Sequence, residues 1–443
     1  MAQVTVGATG RPGSFRACPP PTLDPVTGTR DQPEAELSTS RMLRLLRGSA
    51  GIAIAMVVMN IGTYSFQMVA ARLLGPSQYG AVASLMALLM VLSVVQLGLQ
   101  ATAARRIAAQ PDDVAAIEQT VLSTAWRGAL VLGVLAVAAS PAVAWLLRLD
   151  DLMTAVLLGL SVVPVTLLGG QAGVLQGERR WLPLSLMYVS VGVPRVVIGG
   201  ACLLVVPDET SAMLGVLIAN WIPILIGSHV LRHRSARGSA DAHDTAVRAD
   251  VRKEVLVSSV ALLAFIALSN LDVVVARNVL EDHQAGLYAG GLIVTKAVLF
   301  LPQFAVVILF PSMATAAESR SAVLRGLGLL TVLGGACVLG AYLMSGLALV
   351  FVGGNDYAEV QDRLWLFAVL GALLALLQLL VYAGLAKRGV TTKYVVAAGV
   401  VAMVGAGALT SSVTGLAVTV GVVDAVVLAL LLAVQSVRHR RDA

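Results

Sequence analysis

Long apolar blocks alternate with short polar segments over most of the chain, beginning near residue 50. A block of about 20 apolar residues matches a hydrocarbon core of ~30 Å, because a helix rises ~1.5 Å per residue. Lipid offers the backbone no hydrogen-bond partner, so such blocks cross it as α-helices; the alternating pattern of barrel strands is absent from the sequence. The pattern predicts twelve spans, at 50–72, 80–103, 126–147, 152–175, 181–206, 211–231, 254–276, 286–312, 323–351, 362–385, 392–410 and 414–437.

Composition and charge agree with a membrane protein. Of the 443 residues, 58% are hydrophobic and 13% are charged, whereas soluble domains carry about 25% charged residues. The mean hydropathy is +0.86. With a cytosolic N-terminus, 25 of the 31 Lys and Arg residues fall in inner segments and four in outer loops, as the positive-inside rule requires. We therefore expect an all-α polytopic membrane protein with twelve transmembrane helices and both termini in the cytosol.

The longest inner loop divides the predicted spans into two groups of six. The first 40 residues are rich in Pro, Thr and charge, without the apolar region of a secretory signal, which is typical of disorder. The Leu, Met and Arg residues that follow indicate an interfacial helix. The predicted organisation is a disordered cytosolic tail (1–40), an N-terminal six-helix bundle with its interfacial helix (41–231), a cytosolic linker (232–253), a C-terminal six-helix bundle (254–437) and a basic cytosolic tail (438–443).

Two similar stretches open the two halves. AARLLGPSQYGAVAS occupies 70–84, and ARNVLEDHQAGLYAGG occupies 276–291. Each follows the first span of its half, and each has an Ala-Arg pair before a turn and a small glycine after it. Gly75-Pro76 ends the first helix because proline removes a backbone donor. The match predicts a parallel internal repeat; the alternative is coincidence between two amphipathic turns.

The residues from Asn60 to Arg106 resemble the opening of a known family. They contain ARLLGP at 71–76, Tyr79-Gly80, LGL at 97–99 and Arg105. This pattern resembles the polysaccharide transporter (Wzx-like) family of the superfamily of multidrug, oligosaccharidyl-lipid and polysaccharide flippases. SNLDVVVARNVL at 269–280 resembles the family's seventh span. The resemblance implies a flippase with two six-helix bundles and alternating access, although the long polar tail and the 5% aromatic content depart from better-known members.

Four ionisable residues stand out within the predicted spans. Such groups are costly in lipid and usually face an interior or a cavity. Arg195, Lys296 and Asp424 each lie about 15 Å from the predicted outer end of their span, and Asp272 lies about 6–8 Å in. Arg195 and Lys296 are candidate ligands for a diphosphate, since arginine offers a bidentate fork and lysine a mobile point charge; the alternative is a structural ion pair or snorkelling. Asp424 is either their structural partner or a protonatable coupling group, and Asp272 is a candidate outer-gate contact or a structural cap.

Neutral polar side chains also recur within the spans. Asn60, Tyr64 and Gln67 follow each other at i, i+4 and i+7, which places them on one helical face. With Asn220 and Gln303 they are candidate lining residues of a water-filled cavity. Hydrogen bonding between helices is the alternative reading of each one.

The sequence lacks the motifs of several other classes. It contains no P-loop, no His and Cys spacing typical of a metal site, and no Gly-x-Ser-x-Gly. We therefore predict no catalytic residue, metal or cofactor, and a protein that is not an enzyme. The basic linker at 232–253 also holds Asp241, Asp244 and Asp250, which favours contact with anionic lipid heads over nucleic acid.

The sequence thus favours a flippase of the bacterial cytoplasmic membrane. It would translocate an undecaprenyl-diphosphate-linked oligosaccharide for lipopolysaccharide or exopolysaccharide synthesis, with H+ or Na+ as candidate coupling ions. The alternative is an ion-coupled multidrug or toxin exporter of the same superfamily. A sugar polymerase or ligase is disfavoured by the short outer loops, and a membrane scaffold that retains the fold stays open.

Overall fold

A computed structural model describes residues 49–110, 112–235, 245–300, 319–386 and 390–442. Within these ranges the chain is helical and contains no β-strand. The predicted tail at 1–40, the interfacial run before residue 49 and Gln303 lie outside the described residues, as does the middle of the predicted linker.

The described part of the N-terminal half consists of α-helices of different lengths and one π-helical segment. They are α1 (Ser49–Leu92), α2 (Val94–Ala109), α3 (Val114–Ala138), α4 (Ser140–Leu147), α5 (Leu152–Gly177), α6 (Trp181–Pro194), the π-helical segment Arg195–Gly199, α7 (Gly200–Val205) and α8 (Glu209–Ser235).

The C-terminal half repeats this helical character, with one 3₁₀ segment. Its elements are α9 (Thr245–Leu268), α10 (Leu271–Val279), α11 (Asp282–Leu299), α12 (Ser319–Leu343), α13 (Ser345–Val352), the 3₁₀ segment Asn355–Arg363, α14 (Leu364–Ala386), α15 (Val390–Gly407) and α16 (Val413–Asp442).

Among the described residues, eight helices are long and apolar enough to cross a bilayer, or nine if the bent pair α9–α10 counts as one span. Every predicted span overlaps a helix, although residues 301–312 of the eighth lie outside the described residues. The chain is thus a helical, multi-pass membrane protein. The number of twelve crossings and the cytosolic position of the termini stay predictions.

The long helix α1 is interrupted at the predicted outer turn. The 59-residue apolar segment Gly51–Ala109 contains Gly75, whose φ of 68° and ψ of 174° are not helical. Glycine adopts this left-handed φ without the Cβ penalty of other residues, and Pro76 cannot donate to the preceding turn. The two residues therefore divide the segment where the sequence predicts a turn.

The predicted seventh span is also interrupted, which the apolar pattern did not indicate. Helix α9 ends at Leu268, α10 starts at Leu271, and their axes differ by 42°. At the break, Asn270 donates to the carbonyl oxygen of Ile266 at 2.8 Å, and Ser269 donates to that of Phe265 at 3.0 Å. Short polar side chains that bond to nearby backbone compete with the helical ladder, so these two residues account for the break.

Helices pack closely where small residues face each other. Gly169 and Gly173 on α5 face the backbone of Gln96 and Gln100 on α2, and an added Cβ on Gly169 would lie 2.2 Å from the Gln96 carbonyl oxygen. This close approach agrees with the role of small residues spaced four apart in membrane helix packing. One apolar core extends through both halves and includes Phe66 and Phe367.

Candidate functional site

Arg195 lies in the π-helical segment of the N-terminal half. Its Nη2 donates to Oδ1 of Asn220 on α8 at 2.8 Å. The Nε of Arg195 and the Nδ2 of Asn220 are buried and have no hydrogen-bond partner. No carboxylate in the described part of the chain forms an ion pair with Arg195. Pro194 immediately precedes the π-helical segment, and π-helical turns are frequent at functional sites. This position therefore combines an irregular backbone with a cation whose hydrogen bonds are incompletely satisfied.

Lys296, on α11 in the C-terminal half, is held by the break between α9 and α10. Its ammonium group donates to the carbonyl oxygen of Ser269, and to Oδ1 of Asn270 at 2.9 Å. The side chain therefore lies at the C-terminal end of α9, where the helix dipole favours positive charge.

Two buried carboxylates lie in the surroundings of the half-buried Lys296. We call these three residues the three-charge cluster (Asp272, Lys296 and Asp424). Both aspartates interact electrostatically with the Lys296 ammonium group. Asp272 is 4% exposed and Asp424 is 0% exposed. Oδ2 of Asp272 accepts a hydrogen bond from Tyr288 at 3.0 Å, whereas its Oδ1 and both oxygens of Asp424 have no hydrogen-bond partner. The cluster thus joins α10, α11 and α16 and contains one more acid than base.

The structure gives the two predicted diphosphate ligands different partners. Arg195 bonds to Asn220, while Lys296 bonds to the helix break and faces Asp272 and Asp424. Their action on one diphosphate stays a prediction. Asp424 interacts electrostatically with Lys296 but forms no ion pair with it among the described residues, so both of its sequence interpretations stay predictions. Asp272, which the sequence places nearer the surface as a gate contact or a cap, lies in the same buried cluster.

The polar stripe on α1 lies partly buried. Asn60, Tyr64 and Gln67 are all half-buried, and the ring of Tyr64 packs edge-to-face on Phe300, with centroids 4.6 Å apart. Tyr64 therefore contacts the C-terminal half directly. Whether these residues line a cavity together with Asn220 and Gln303 stays a prediction.

The two repeated stretches pack against each other at the predicted outer end of the helices. An added Cβ on Gly80 would lie 3.0 Å from the Gly286 backbone, and one on Gly286 would lie 1.8 Å from the Pro76 carbonyl oxygen. The hydroxyl of Tyr357 donates to the carbonyl oxygen of Ala71 at 3.2 Å. Only glycine permits this approach of the backbones, so the matching glycines that indicate the repeat also join the two halves.

An arginine pair extends this junction. Arg277 is 4% exposed and donates to the carbonyl oxygens of Leu147, Arg148 and Ser77 at 2.9, 3.1 and 3.2 Å. Arg277 and Arg148 each form an ion pair with Asp282 at 3.2 Å. In the sequence, both arginines count only as charges of outer loops that indicate the membrane topology, so their contacts between the two halves were not predicted. The Ala-Arg pair that is repeated at 71–72 and 276–277 was the sequence feature that could have indicated the contacts of Arg277.

Another contact joins the halves at the predicted inner end. Glu254 on α9 pairs with Arg105 at 2.6 Å and with Arg106 at 2.8 Å. Both arginines belong to the stretch that carries the family resemblance, so this part of the motif has a structural partner in the other half.

This arrangement defines a class: a helical membrane protein with buried charges and with contacts between two halves of similar entry sequence. Residues 45–317, more than half of the chain, match the family model described as polysaccharide biosynthesis protein. The chain belongs to this family, and the resemblance found in the sequence is confirmed. No curated protein matches the chain.

Solved structures identify the fold. The chain is 16% identical to an inward-facing multidrug resistance MATE transporter of the MOP superfamily, with a TM-score of 0.67 over 87% of this chain and 98% of that one. An outward-facing form gives 17% identity and a TM-score of 0.58, over 89% and 97%. A MOP superfamily transporter from Pyrococcus furiosus, described by a reversed polarity of its binding pocket, gives 16% identity and a TM-score of 0.57, over 89% and 95%. The chain thus shares its fold with these transporters.

Proposed function

We propose that the chain is a flippase that moves a lipid-diphosphate-linked oligosaccharide to the outer leaflet of the bacterial cytoplasmic membrane, for the synthesis of cell-surface polysaccharide. The observation that carries this proposal is Arg195, a cation with a buried, unpartnered Nε–H and no described carboxylate partner. A guanidinium group binds phosphate oxygens in a bidentate manner. The diphosphate at the lipid–sugar junction of an undecaprenyl-type carrier is a suitable anion.

The proposed role of Lys296 differs from that of Arg195. Lys296 already donates to two oxygen atoms and faces two carboxylates, so an approaching diphosphate would meet negative charge there. We therefore assign the first contact with the cargo to Arg195 and Asn220. Asp272 and Asp424 are assigned to coupling with H+ or Na+ in place of cargo binding.

The proposed architecture has twelve transmembrane helices in two six-helix bundles, with both termini cytosolic. The distribution of Lys and Arg and the pairing of the repeated stretches support it. Alternating access then requires that the Gly80–Gly286 junction and the Arg277 contacts separate when the site opens to the outside.

A multidrug or toxin exporter is the second candidate, because the family and the fold do not separate the two functions. One observation favours it: the three-charge cluster contains two acids and one base, which suits a cationic cargo better than an anionic one. The position of the cargo therefore decides between the functions.

Purified chain in proteoliposomes tests the proposal. A fluorescent oligosaccharide linked to undecaprenyl diphosphate is placed in one leaflet, and its appearance in the other is followed by a membrane-impermeant quencher. We expect Arg195→Ala to reduce the rate at least about tenfold, since a charge-assisted hydrogen bond contributes ~1.5–3 kcal/mol. Arg325→Ala, an exposed position on α12, is the matched control and should keep the wild-type rate.

Two results count against the flippase. Equal rates for wild type and Arg195→Ala would remove the anion-binding argument. Export of a cationic dye by wild type, without movement of the lipid-linked sugar, would favour the exporter.

A further inference from the structure

An apolar groove lies between α1 and the helical segment that follows Arg195. It has a volume of about 430 Å³ and opens at the protein surface. This volume falls within the ~300–1,000 Å³ that is typical of sites for small ligands. The residues that define it here are Val69, Arg72 and Leu73 on α1, and Val196, Ala201 and Leu204 opposite them. Apart from Arg72, every residue that lines the groove is aliphatic or glycine.

Small residues create this groove. An added Cβ on Gly199 would lie 2.5 Å from the ring of Phe66, so the two helical segments touch at that level. At Gly200 the nearest atom to an added Cβ belongs to Val69 and lies 3.9 Å away. The neighbouring Ala201 is exposed and contributes only a methyl group. The helices therefore meet at Gly199 and leave space beside the next two residues.

In the predicted topology the groove follows the outer leaflet. Arg72 is the last residue of the first predicted span, and Leu204 lies close to the outer end of the fifth. Val196 lies ~12 Å deeper than Leu204, because the helix rises ~1.5 Å per residue. One leaflet of the hydrocarbon core is ~15 Å deep. The groove thus extends from the level of the head groups along one leaflet, as an acyl chain does.

Arg72 stands at the outer end of the groove. Its side chain is exposed, and in the described part of the chain its only hydrogen bond runs from Nη2 to the carbonyl oxygen of Val350 on α13, at 2.5 Å. No described carboxylate forms an ion pair with it. A guanidinium group carries five N–H donors, so most of them are available to an anion. An aliphatic lining is common to surfaces that face lipid, whereas this arginine adds a preference for negative charge.

We propose that the groove binds one anionic phospholipid, with the phosphate on Arg72 and one acyl chain between α1 and α7. The guanidinium group binds phosphate oxygens in a bidentate manner and repels the cation of a zwitterionic head group. Because Arg72 also donates to Val350, the bound head group lies where the two halves meet. This site concerns a membrane lipid and not the cargo, so it is independent of the flippase assignment.

Photo-crosslinking in nanodiscs provides the test. The purified full-length chain is placed in phosphatidylcholine nanodiscs that contain a trace of phosphatidylglycerol with a diazirine in one acyl chain. The labelled segment is then located by mass spectrometry. We expect label on residues 196–204. A phosphatidylcholine probe with the same diazirine chain should label this segment less, because its head group carries no net charge.

Two variants separate the head group from the acyl chain. Arg72→Gln removes the charge and should reduce labelling by the phosphatidylglycerol probe at least about tenfold, as expected for loss of a charge-assisted hydrogen bond. Ala201→Phe fills the groove and should also remove most of the label. Arg363→Gln, in the exposed part of the 3₁₀ segment, and Ala142→Phe, at an exposed position of α4, are the matched controls and should keep the wild-type labelling.

Three results overturn the proposal. Equal labelling of 196–204 by the two probes would make the groove an ordinary surface that faces lipid. Wild-type labelling in Arg72→Gln would remove the role of the charge. Displacement of the label by excess undecaprenyl diphosphate, but not by excess unlabelled phosphatidylglycerol, would assign the groove to the cargo. The comparison of the two probes uses wild type alone, so it decides the question even if a variant fails to fold.

Discussion

Arg195 and Lys296 look alike in the sequence but have opposite surroundings in the structure. Arg195 has one neutral partner, Asn220, and a buried N–H group without a partner. Lys296 has two oxygen partners and two nearby carboxylates. A lone cation of this kind is able to accept an anion from outside, whereas an enclosed cation stabilises the protein itself.

The comparison shows that the number of charged residues in the membrane does not determine whether a binding site is suited to an anion or to a cation. The two cations and two acids that stand out within the predicted spans are divided unequally: Arg195 is alone, and the other three form one cluster. Stability and transport should consequently respond to the two basic residues in opposite order.

Removal of the Lys296 charge should have the largest effect on stability. Lys296→Ala removes the cation that interacts electrostatically with the buried Asp272 and Asp424, and an uncompensated buried charge costs about 3–5 kcal/mol. Unfolding by detergent titration in choline chloride measures this loss. Lys393→Ala, which removes a lysine that lies over the Tyr394 ring, is the control and should cost below about 1 kcal/mol.

A methyl group at Gly286 should have the next largest effect, because it enters the junction of the two halves. The added Cβ of Gly286→Ala would lie 1.8 Å from the Pro76 carbonyl oxygen, and a clash with backbone costs about 2–3 kcal/mol. Unfolding of the purified variant provides the measurement, with Gly335→Ala as the control because open space surrounds Gly335. Equal stability of the two variants would contradict the close packing of the repeated turns.

Loss of the Arg195 partner should have a smaller effect. Asn220→Leu removes the acceptor of the Arg195 Nη2 hydrogen bond, which leaves a guanidinium group short of a partner and costs about 1–2 kcal/mol. Asn220→Asp restores an acceptor and adds a charge, so it should recover the stability while weakening transport of an anion. A variant Asn220→Asp that transports as well as wild type would separate Asn220 from the cargo.

Replacement of Arg195 itself should change stability least. Arg195→Met keeps a long side chain and removes a cation with an unpartnered N–H, so the change should stay within about 1 kcal/mol. The same unfolding experiment checks this value beside Lys296→Ala. A loss at Arg195 as large as that at Lys296 would end the contrast between the two sites.

The helices were largely predictable, because each long apolar block must satisfy its backbone hydrogen bonds internally. The buried charges could be located as well, since Arg195, Lys296 and Asp424 interrupt apolar runs. Their partners could not be predicted, because the electrostatic interaction between Lys296 and Asp424 depends on how two helices distant in the chain are rotated against each other. The break at Ser269 and Asn270 was missed because apolar residues continue on both sides of it.

Binding of undecaprenyl diphosphate without its sugar tests the central claim most directly. Its affinity is measured for wild type, Arg195→Met and Lys296→Arg in detergent, with undecaprenol as the neutral control ligand. We predict that Arg195→Met binds the diphosphate at least about tenfold more weakly, in line with the ~1.5–3 kcal/mol of a charge-assisted hydrogen bond, while Lys296→Arg keeps the wild-type affinity. An unchanged affinity in Arg195→Met, with the protein folded, would contradict the account.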